Sequence, residues 1–337
     1  MNILMPSAGR RYKHIKLFKE CKQVEKVITT DIDYLSSGIH AADKCYRVPR
    51  TNDPNYIPTL IQICQKENID VIIPLLDLDI LLFSRKRELF ENEGIKLLLS
   101  PEETIEIALD KLKTANFLME NGLPSPVTVL ASEWEKEKID YPILIKPRFP
   151  ALRVETGYDI SVINNDNELQ KIFNSIDGFE NNYVFQEYLT GMELSIDFFC
   201  QENGDYVLAI PANRISALTT AFSKNGGTMD KGWTFHDEEI EEMVIKATKI
   251  MDFYGPANFG GYRSEDGITK ITEINARLTG GATLSVLGSG INLFQWSIDL
   301  LDGKQITPPD GGFVETVMTS YVEPVFFPRG ENLFDEI

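Results

Sequence analysis

Short apolar segments alternate with amphipathic ones through residues 1–105, and this alternation constrains the fold more than any other feature. The apolar segments NILMPS, IDVIIPLLD and IKLLLS are separated by segments of helical periodicity such as YIPTLIQICQKEN. A run such as DVIIPLL is apolar on both faces, which is typical of a strand buried in a parallel sheet. The pattern predicts a βαβ series that builds a doubly wound parallel-sheet domain, with a boundary near residue 105.

Two loops of this predicted domain follow strands at the position where such sheets usually bind ligands. They are PSAGRR after the first strand and TDID after the second. Neither contains a full glycine fingerprint, so ordinary turn residues are an equally good interpretation.

The rest of the chain predicts one long helix followed by antiparallel strands. The segment SPEETIEIALDKLKTANFLMENG has Ser100 as an N-cap, Glu103 as its capping-box partner and Gly122 as a stop. Strands are predicted at DYPILIKPRF and NYVFQEYL, and hairpins at ENGD and between ANFGGYR and ITKITEINAR. Further helices are predicted at NDNELQKIFNSI, DEEIEEMVIKATKIMDFYG and LFQWSIDLLDGK.

The charge balance excludes several classes of partner. The formal net charge of −18 over 337 residues repels polyanions, which argues against nucleic acid or an anionic membrane as the main partner.

The first residues have too short an apolar run for a signal peptide, and no later segment is long enough to span a membrane. Cys21, Cys45, Cys64 and Cys200 form no CxxC pair, so a cytoplasmic location without disulfides or zinc is expected.

The segment ITEINARLTGG carries the strongest functional signal. In a strand, Glu273, Asn275 and Arg277 fall on one face, with Thr272 and Ile274 on the other. Carboxylate and amide oxygens suit magnesium bound together with phosphates, and a guanidinium can hold a phosphate or carboxylate. From this pattern alone, the solvated face of a hairpin is an equally good interpretation.

Three further cations are candidates for phosphate binding. Lys146 ends the apolar strand PILIK, where a cation needs a paired anion to offset its desolvation. Lys111 also fits an ordinary exposed helix lysine, and Arg214 fits a surface ion pair. The three histidines, in separate segments, are interpreted as surface or turn residues.

Taken in order, these residues resemble the ATP-grasp superfamily, and most closely its branch similar to the carbamoyl-phosphate synthase large subunit. The resemblance implies a pre-ATP-grasp domain at 1–105, a small sub-domain with the adenine hinge at 106–190, and a large sub-domain with the metal site at 191–337. It places Gln186 and the backbone of Glu187 and Leu189 at adenine, and Glu193 on the ribose. It also places Lys111 and Lys146 on the phosphates, Glu273 and Asn275 on magnesium, and Arg277 at the transferred phosphate or the substrate carboxylate. Arg214 matches the arginine in the strand before the substrate loop, and the resemblance implies that Arg277, Arg214 and Lys146 are catalytic.

The sequence departs from the family pattern in two places. The loop PRFPALRVETGYD after Lys146 lacks the usual glycines, so Arg148 or Arg153 is considered as a compensating charge, with solvated loop arginines slightly favoured. Gly260 stands where the branch usually has a magnesium ligand. Asn258, two residues away, is either an oxygen donor or a turn residue without a role, and Gly260→Gln is expected to strengthen magnesium dependence.

The resemblance implies a ligase that uses ATP and Mg²⁺ to activate a small carboxylate as an acyl phosphate, which an amine then attacks. Alternatives are a nucleotide-binding protein without ligase activity and a phosphorylating enzyme of the carbamoyl-phosphate synthase type. The loop ISALTTAFSKNGGTMDKGW, with Lys224, is expected to shape the substrate pocket. A homodimer is expected only by analogy with relatives.

Overall fold

A computed structural model describes residues 1–158, 160–215, 231–280, 287–321, 323–327 and 334–337. Its strands form three sheets, one parallel and two antiparallel. The expected mixed α/β architecture, with a parallel N-terminal sheet followed by antiparallel sheets, is therefore confirmed.

The N-terminal sheet is parallel and has the order β3-β2-β1-β4-β5. Its strands are β1 (Asn2–Met5), β2 (Lys26–Asp31), β3 (Lys44–Arg47), β4 (Val71–Ile72) and β5 (Lys96–Leu97). The intervening helices are α1 (Tyr12–Lys19), α2 (Tyr56–Glu67), α3 (Asp77–Arg85) and α4 (Arg87–Glu91). Ile3, Leu4, Val71 and Ile72 have no exposed surface, which explains why these runs are apolar on both faces.

The long helix predicted after residue 100 is two helices, α5 (Glu102–Leu109) and α6 (Lys111–Glu120). The prediction of one helix was wrong because Asp110 adopts an extended backbone and caps α6, accepting from the N–H groups of Leu112 and Lys113. Ser100 does not cap α5, since its hydroxyl accepts a hydrogen bond from the Tyr254 N–H.

The small antiparallel sheet has the order β6-β9-β7-β8. Its elements are β6 (Thr128–Leu130), β7 (Ile143–Pro147), α7 (Pro150–Thr156), β8 (Ser161–Ile163), α8 (Asp166–Phe173), α9 (Phe179–Asn182) and β9 (Tyr183–Glu187). A separate core between residues 131 and 185 packs beneath it, built around Ile143, Ile145 and Phe185.

The large antiparallel sheet has the order β14-β13-β10-β11-β12-β15. Its strands are β10 (Met192–Cys200), β11 (Tyr206–Ile215), β12 (Lys231–Thr234), β13 (Gly255–Arg263), β14 (Thr269–Asn275) and β15 (Val317–Thr319). Helices α10 (Glu238–Thr248) and α11 (Leu293–Leu301) also belong to this part of the chain.

The N-terminal and large sheets share their hydrophobic cores. One cluster joins Leu4 and Ile28 to Ile196 and Phe259, and a second joins Ile3 and Met5 to Phe199, Ile210 and Phe294 on α11. The N-terminal domain is therefore packed against the sheet that carries Glu273, whereas the small sheet has its own core. The expected boundaries at residues 105 and 190 stay predictions.

Three further expectations concerned the cysteines, the histidines and membrane-spanning segments. All four cysteines are free and buried, as expected for a chain without disulfides. His14 is not a surface residue: its side chain is buried, and Nε2 lies 2.9 Å from the Thr279 carbonyl oxygen. Burial lowers the pKa of His14 to about 4, with Arg11 acting in the same direction. Within the described ranges, no helix has the length and apolar character needed to cross a bilayer.

Candidate active site

The predicted metal ligands lie on one face of the large sheet, in rows that cross its strands. Glu273 on β14 pairs with Gly260 on β13, and Asn275 pairs with Asn258. Asn258 pairs in turn with Asp197 on β10. Because directly paired residues project to the same face of a sheet, these polar groups converge.

Asn258 is a buried strand residue and not a turn residue. Its Nδ2 donates to Ser195 Oγ and to Asp197 Oδ1, at 2.9 Å each, and its Oδ1 accepts from Asn275 Nδ2 at 3.4 Å. Strand β10 therefore fixes the orientation of the Asn258 amide, and Asn258 in turn orients Asn275.

Gly260 provides room for the Glu273 side chain. A Cβ at position 260 would lie 2.7 Å from Glu273 Cγ and 2.9 Å from Glu273 Oε1, closer than real side chains approach. The expected gain from Gly260→Gln is therefore opposed sterically, because a glutamine at this position requires Glu273 to move.

Lys146 on β7 is a buried cation whose hydrogen-bond partner is a neutral side chain. It is 6% exposed, and its Nζ donates to Gln186 Oε1 at 2.8 Å. Burial lowers the pKa of Lys146 to about 8, with Lys111 acting in the same direction and Glu273 and Glu193 opposing. Lys146, on the small sheet, is therefore close enough to Glu273 and Glu193 of the large sheet for their charges to act on it.

Gln186 on β9 accepts the hydrogen bond from Lys146 and is itself fixed by a second hydrogen bond. Its Nε2 donates to Thr128 Oγ1 on β6 at 2.9 Å, and its side chain is 1% exposed. The Gln186 side chain, which the resemblance places at adenine, is thus engaged by Lys146 and Thr128.

Lys111 is the first residue of α6 and is positioned by a contact between its helix and β7. Arg148, just after β7, donates from Nε and Nη2 to Asp110, at 2.9 and 2.7 Å, and the Lys111 N–H donates to the Arg148 carbonyl. The sequence suggested that Arg148 is either a solvated loop arginine or a charge that compensates for the missing glycines. Neither interpretation fits, because the Arg148 guanidinium is held by Asp110. The charge of Lys111 acts on the pKa of both Lys146 and Asp77, so Lys111 lies within electrostatic reach of both groups.

Glu193 and Arg214 form an ion pair on neighbouring strands of the large sheet, with Arg214 Nη1 3.3 Å from Glu193 Oε1. Burial raises the pKa of Glu193, and Glu273 adds to the shift while Arg214 and Lys146 oppose it. The predicted ribose carboxylate and the predicted catalytic arginine therefore lie beside the Lys146 cluster.

The predicted adenine hinge lies at the end of β9. Glu187 pairs with Lys270 Nζ at 2.7 and 2.8 Å, and its backbone N–H donates to the Val127 carbonyl at 2.9 Å. Leu189 follows β9 in an irregular, half-buried segment. Glu187 is the last residue of the strand that carries Gln186 and Leu189 lies two residues beyond it, and the Glu187 N–H is already bonded. Their predicted contact with adenine stays a prediction.

Arg277 lies just past β14 and pairs with the N-terminal domain. Its Nε lies 2.5 Å from Asp77 Oδ1 at the start of α3. Burial opposes the charge on Arg277, yet Asp77 and Glu273 raise its pKa above the ordinary value. Burial likewise opposes the charge on Asp77, but Arg277, Lys111 and Arg11 together lower its pKa.

Asp77 and Arg11 are site residues that the sequence analysis missed. A Cβ at Gly280 would lie 3.0 Å from Arg11 Nη1, so the loop after β1 packs against the segment that follows Arg277. Weak signals existed, since Arg11 belongs to PSAGRR and Asp77 ends the apolar segment that contains β4. Lys224 and the Arg153 side chain, for which roles were considered from the sequence, lie outside the described residues.

Comparison with known proteins connects this geometry to a family. The profile described as "PylC-like, N-terminal domain" matches residues 3–98, and the profile described as "ATP-grasp domain" matches residues 108–281, more than half of the chain. This chain belongs to the ATP-grasp family. The expected ATP-grasp fold and ligase class are confirmed at the level of that family.

Curated relatives of this ATP-grasp protein include carbamoyl-phosphate synthases. The Methanobrevibacter smithii carbamoyl-phosphate synthase is 26% identical over 88% of this chain and 79% of its own length. The Pyrococcus furiosus carbamoyl phosphate synthase large chain is 24% identical over 68% of this chain, but only 22% of its own length is covered. Among solved structures, the biotin carboxylase of Campylobacter jejuni has a TM-score of 0.73 and 16% identity, covering 94% of this chain and 74% of its own.

Proposed function

We propose that this ATP-grasp protein is an ATP-dependent carboxylate-amine ligase. A carboxylate oxygen of the small substrate attacks the γ-phosphorus of ATP, ADP leaves, and an acyl phosphate forms. The nitrogen of an amine then attacks the acyl carbon and loses a proton, phosphate leaves with the bridging oxygen, and an amide remains. The buried ammonium of Lys146 is the observation that carries this proposal.

Lys146 is arranged to receive an anion. A buried ammonium is costly unless it is paired, and the hydrogen bond to Gln186 supplies a dipole and no charge. Glu273 and Glu193 act on Lys146 electrostatically, although neither forms a salt bridge with it in the described part of the chain. The phosphates of ATP would complete the neutralisation, and Lys111, whose charge also acts on Lys146, would supply a second cation.

The oxygen donors opposite Lys146 fit magnesium. Glu273 offers a carboxylate, and Asn275 and Asn258 offer amide oxygens on the same face of the sheet. Magnesium prefers hard oxygen ligands and keeps several waters, so one carboxylate with amides and nucleotide phosphates is a suitable set. When bound there, the ion would neutralise charge on the β- and γ-phosphates.

The remaining roles follow from position. Arg277, held by Asp77 beside Glu273, would stabilise charge on the transferred phosphoryl group, and Arg214 would orient Glu193 toward the ribose hydroxyls. Gln186 would position Lys146, while Glu187 and Leu189 border the adenine through backbone groups. Phosphoryl transfer needs mainly positioning and charge stabilisation, so no covalent nucleophile is required.

The test is ADP release from MgATP, screened with small carboxylates and amines singly and in pairs. Release that requires both members of a pair is expected, and it should be lost in Lys146→Met and in Glu273→Gln. The exposed helix-end residue Lys249 provides a matched control, because Lys249→Met removes a lysine charge that takes part in none of these contacts. ADP release that persists in both site variants would refute the site assignment, and nucleotide binding without release for any pair would refute ligation.

A further inference from the structure

A second group of charged side chains lies where the order of the N-terminal sheet reverses. Strand β1 is flanked by β2 on one side and β4 on the other, so the chain leaves β1 and β4 toward opposite halves of the sheet. Ligands of doubly wound sheets bind beyond the carboxyl ends of the strands at this reversal. Arg11 lies in the loop after β1, and Asp77 is the first residue of α3, directly after the loop that follows β4. Together with Arg277 they form what we call the switch-point site.

Arg11 contributes a cation that forms no salt bridge with any residue in the described part of the chain. Its backbone N–H bonds to the Ala8 carbonyl, and its guanidinium lies against Gly280. Among the described residues, the guanidinium has no hydrogen bond or ion pair. Burial lowers the pKa of Arg11 to about 10, Arg277 lowers it further, and Asp77 opposes both. This guanidinium is therefore partly desolvated and repelled by a second one, which an incoming carboxylate would relieve.

Asp77 contributes an acceptor with one oxygen in use. Oδ1 accepts from Arg277 Nε, while Oδ2 has no hydrogen-bond partner within the described part of the chain. Two guanidiniums and one carboxylate give the switch-point site a net charge of +1, and Lys111 adds to its positive potential. The site therefore offers free donors on Arg11 beside a free acceptor on Asp77.

We propose that the switch-point site binds an α-amino acid as the carboxylate substrate, with its α-carboxylate on Arg11 and Arg277 and its ammonium on Asp77 Oδ2. The proposal rests on the ligase function above and names the substrate class. Arg277 lies two residues after Asn275, just past the end of the strand that carries both predicted metal ligands, so a carboxylate held on Arg277 lies on the side from which the γ-phosphate would be presented. The α-carboxylate is thus the group that becomes phosphorylated.

Because the switch-point site offers both cations and an anion, it should bind a zwitterion more tightly than a simple acid or a simple amine. A simple carboxylic acid satisfies Arg11 but places its negative charge near Asp77 without an ammonium between them. A simple amine satisfies Asp77 but adds a third cation beside two guanidiniums. Because a charge-assisted hydrogen bond is lost in each case, each analogue should bind roughly tenfold or more weakly than the zwitterion.

The experiment is calorimetric titration of the twenty L-α-amino acids into the full chain, with and without Mg²⁺ and a non-hydrolysable ATP analogue. The tightest amino acid is then compared with its des-amino acid and with its decarboxylated amine. The variants are Arg11→Met, Arg11→Lys and Asp77→Asn. The adjacent exposed Arg10 provides a control, because Arg10→Met removes the same charge from the same loop.

Arg11→Met should weaken amino-acid binding at least tenfold and leave nucleotide affinity unchanged, while Arg11→Lys keeps part of the affinity. Asp77→Asn should abolish the preference for the amino acid over its des-amino acid, and Arg10→Met should change neither ligand. Unfolding curves show whether each variant is folded. If Arg11→Met is not folded, the amino-acid affinity of Arg11→Lys tests the role of Arg11 instead.

Three results overturn the inference: no amino acid binds, Arg11→Met binds it like the wild type, or the des-amino acid binds equally well. If nucleotide still binds and a non-zwitterionic carboxylate supports ADP release, the ligase function survives without this substrate class. Failure of the wild type to bind nucleotide refutes the ligase function itself.

Discussion

The close contact between Gly260 and Glu273 leads to a quantitative prediction. Gly260 does not have a positive φ, so alanine fits its backbone, and the substitution tests space alone. The added methyl would meet Glu273 Cγ at 2.7 Å, Oε1 at 2.9 Å and Cδ at 3.2 Å. All three atoms belong to one side chain, so Gly260→Ala should displace the Glu273 carboxylate from its place beside Asn275.

The free energies can be worked out by comparison with Glu273→Ala, which removes the three atoms that lie nearest to the added methyl. Overpacking of this kind costs about 1–3 kcal/mol, whereas glycine to alanine at a compatible position gains about 0.4–1 kcal/mol through the unfolded chain. Gly260→Ala should therefore destabilise the wild type by roughly 0.5–2 kcal/mol but stabilise the Glu273→Ala background by about 0.4–1 kcal/mol. The double-mutant cycle isolates the coupling free energy between the methyl at position 260 and the Glu273 side chain.

Two assays measure these effects. Denaturant unfolding of the wild type, both single variants and the double variant gives the cycle, and magnesium titration of nucleotide binding gives the functional effect. Because a misoriented ligand typically loses about tenfold or more in metal affinity, Gly260→Ala should raise the magnesium requirement by that factor. Equal effects of Gly260→Ala in both backgrounds, or an unchanged magnesium requirement, would refute the reasoning.

Three further predictions concern the nucleotide side of the cleft. The pKa of Lys146 is lowered to about 8, so its ammonium loses its proton as the pH rises through that value. The affinity for ADP should therefore fall above pH 8, whereas Lys146→Met should bind ADP weakly at every pH. Gln186→Leu leaves the Lys146 ammonium without its partner and should weaken ADP binding by about 1.5–3 kcal/mol in calorimetry, more than Thr128→Val. Arg148→Lys, which cannot form the bidentate contact with Asp110, should weaken ADP binding through the displaced start of α6, and unchanged affinity would contradict that role.

Features set by local pattern were predictable from the sequence. The β14 alternation places Glu273 and Asn275 on a common face because strand side chains alternate regardless of tertiary context. Lys146 could be singled out because an ammonium at the end of an apolar strand needs a partner wherever the strand lies.

Features set by long-range packing were not predictable. Arg277 and Asp77 are separated by 200 positions, and no local pattern links them. The break between α5 and α6 was missed because Asp110 reads as one polar residue in an amphipathic helix, and its bond to Arg148 comes from another sheet. His14 looks like an exposed helix residue until the segment around Thr279 packs over it.

The central claim is that the γ-phosphate of ATP is transferred to a carboxylate oxygen. It is tested most directly by following ¹⁸O from the labelled carboxylate of the substrate pair that supports ADP release. Attack by the carboxylate leaves one labelled oxygen in each phosphate released, because amide formation breaks the bond between the acyl carbon and that oxygen. We expect one ¹⁸O per phosphate, detected by mass spectrometry. Phosphate carrying no label would show that water, and not the carboxylate, accepts the phosphoryl group, and would contradict the proposed ligation.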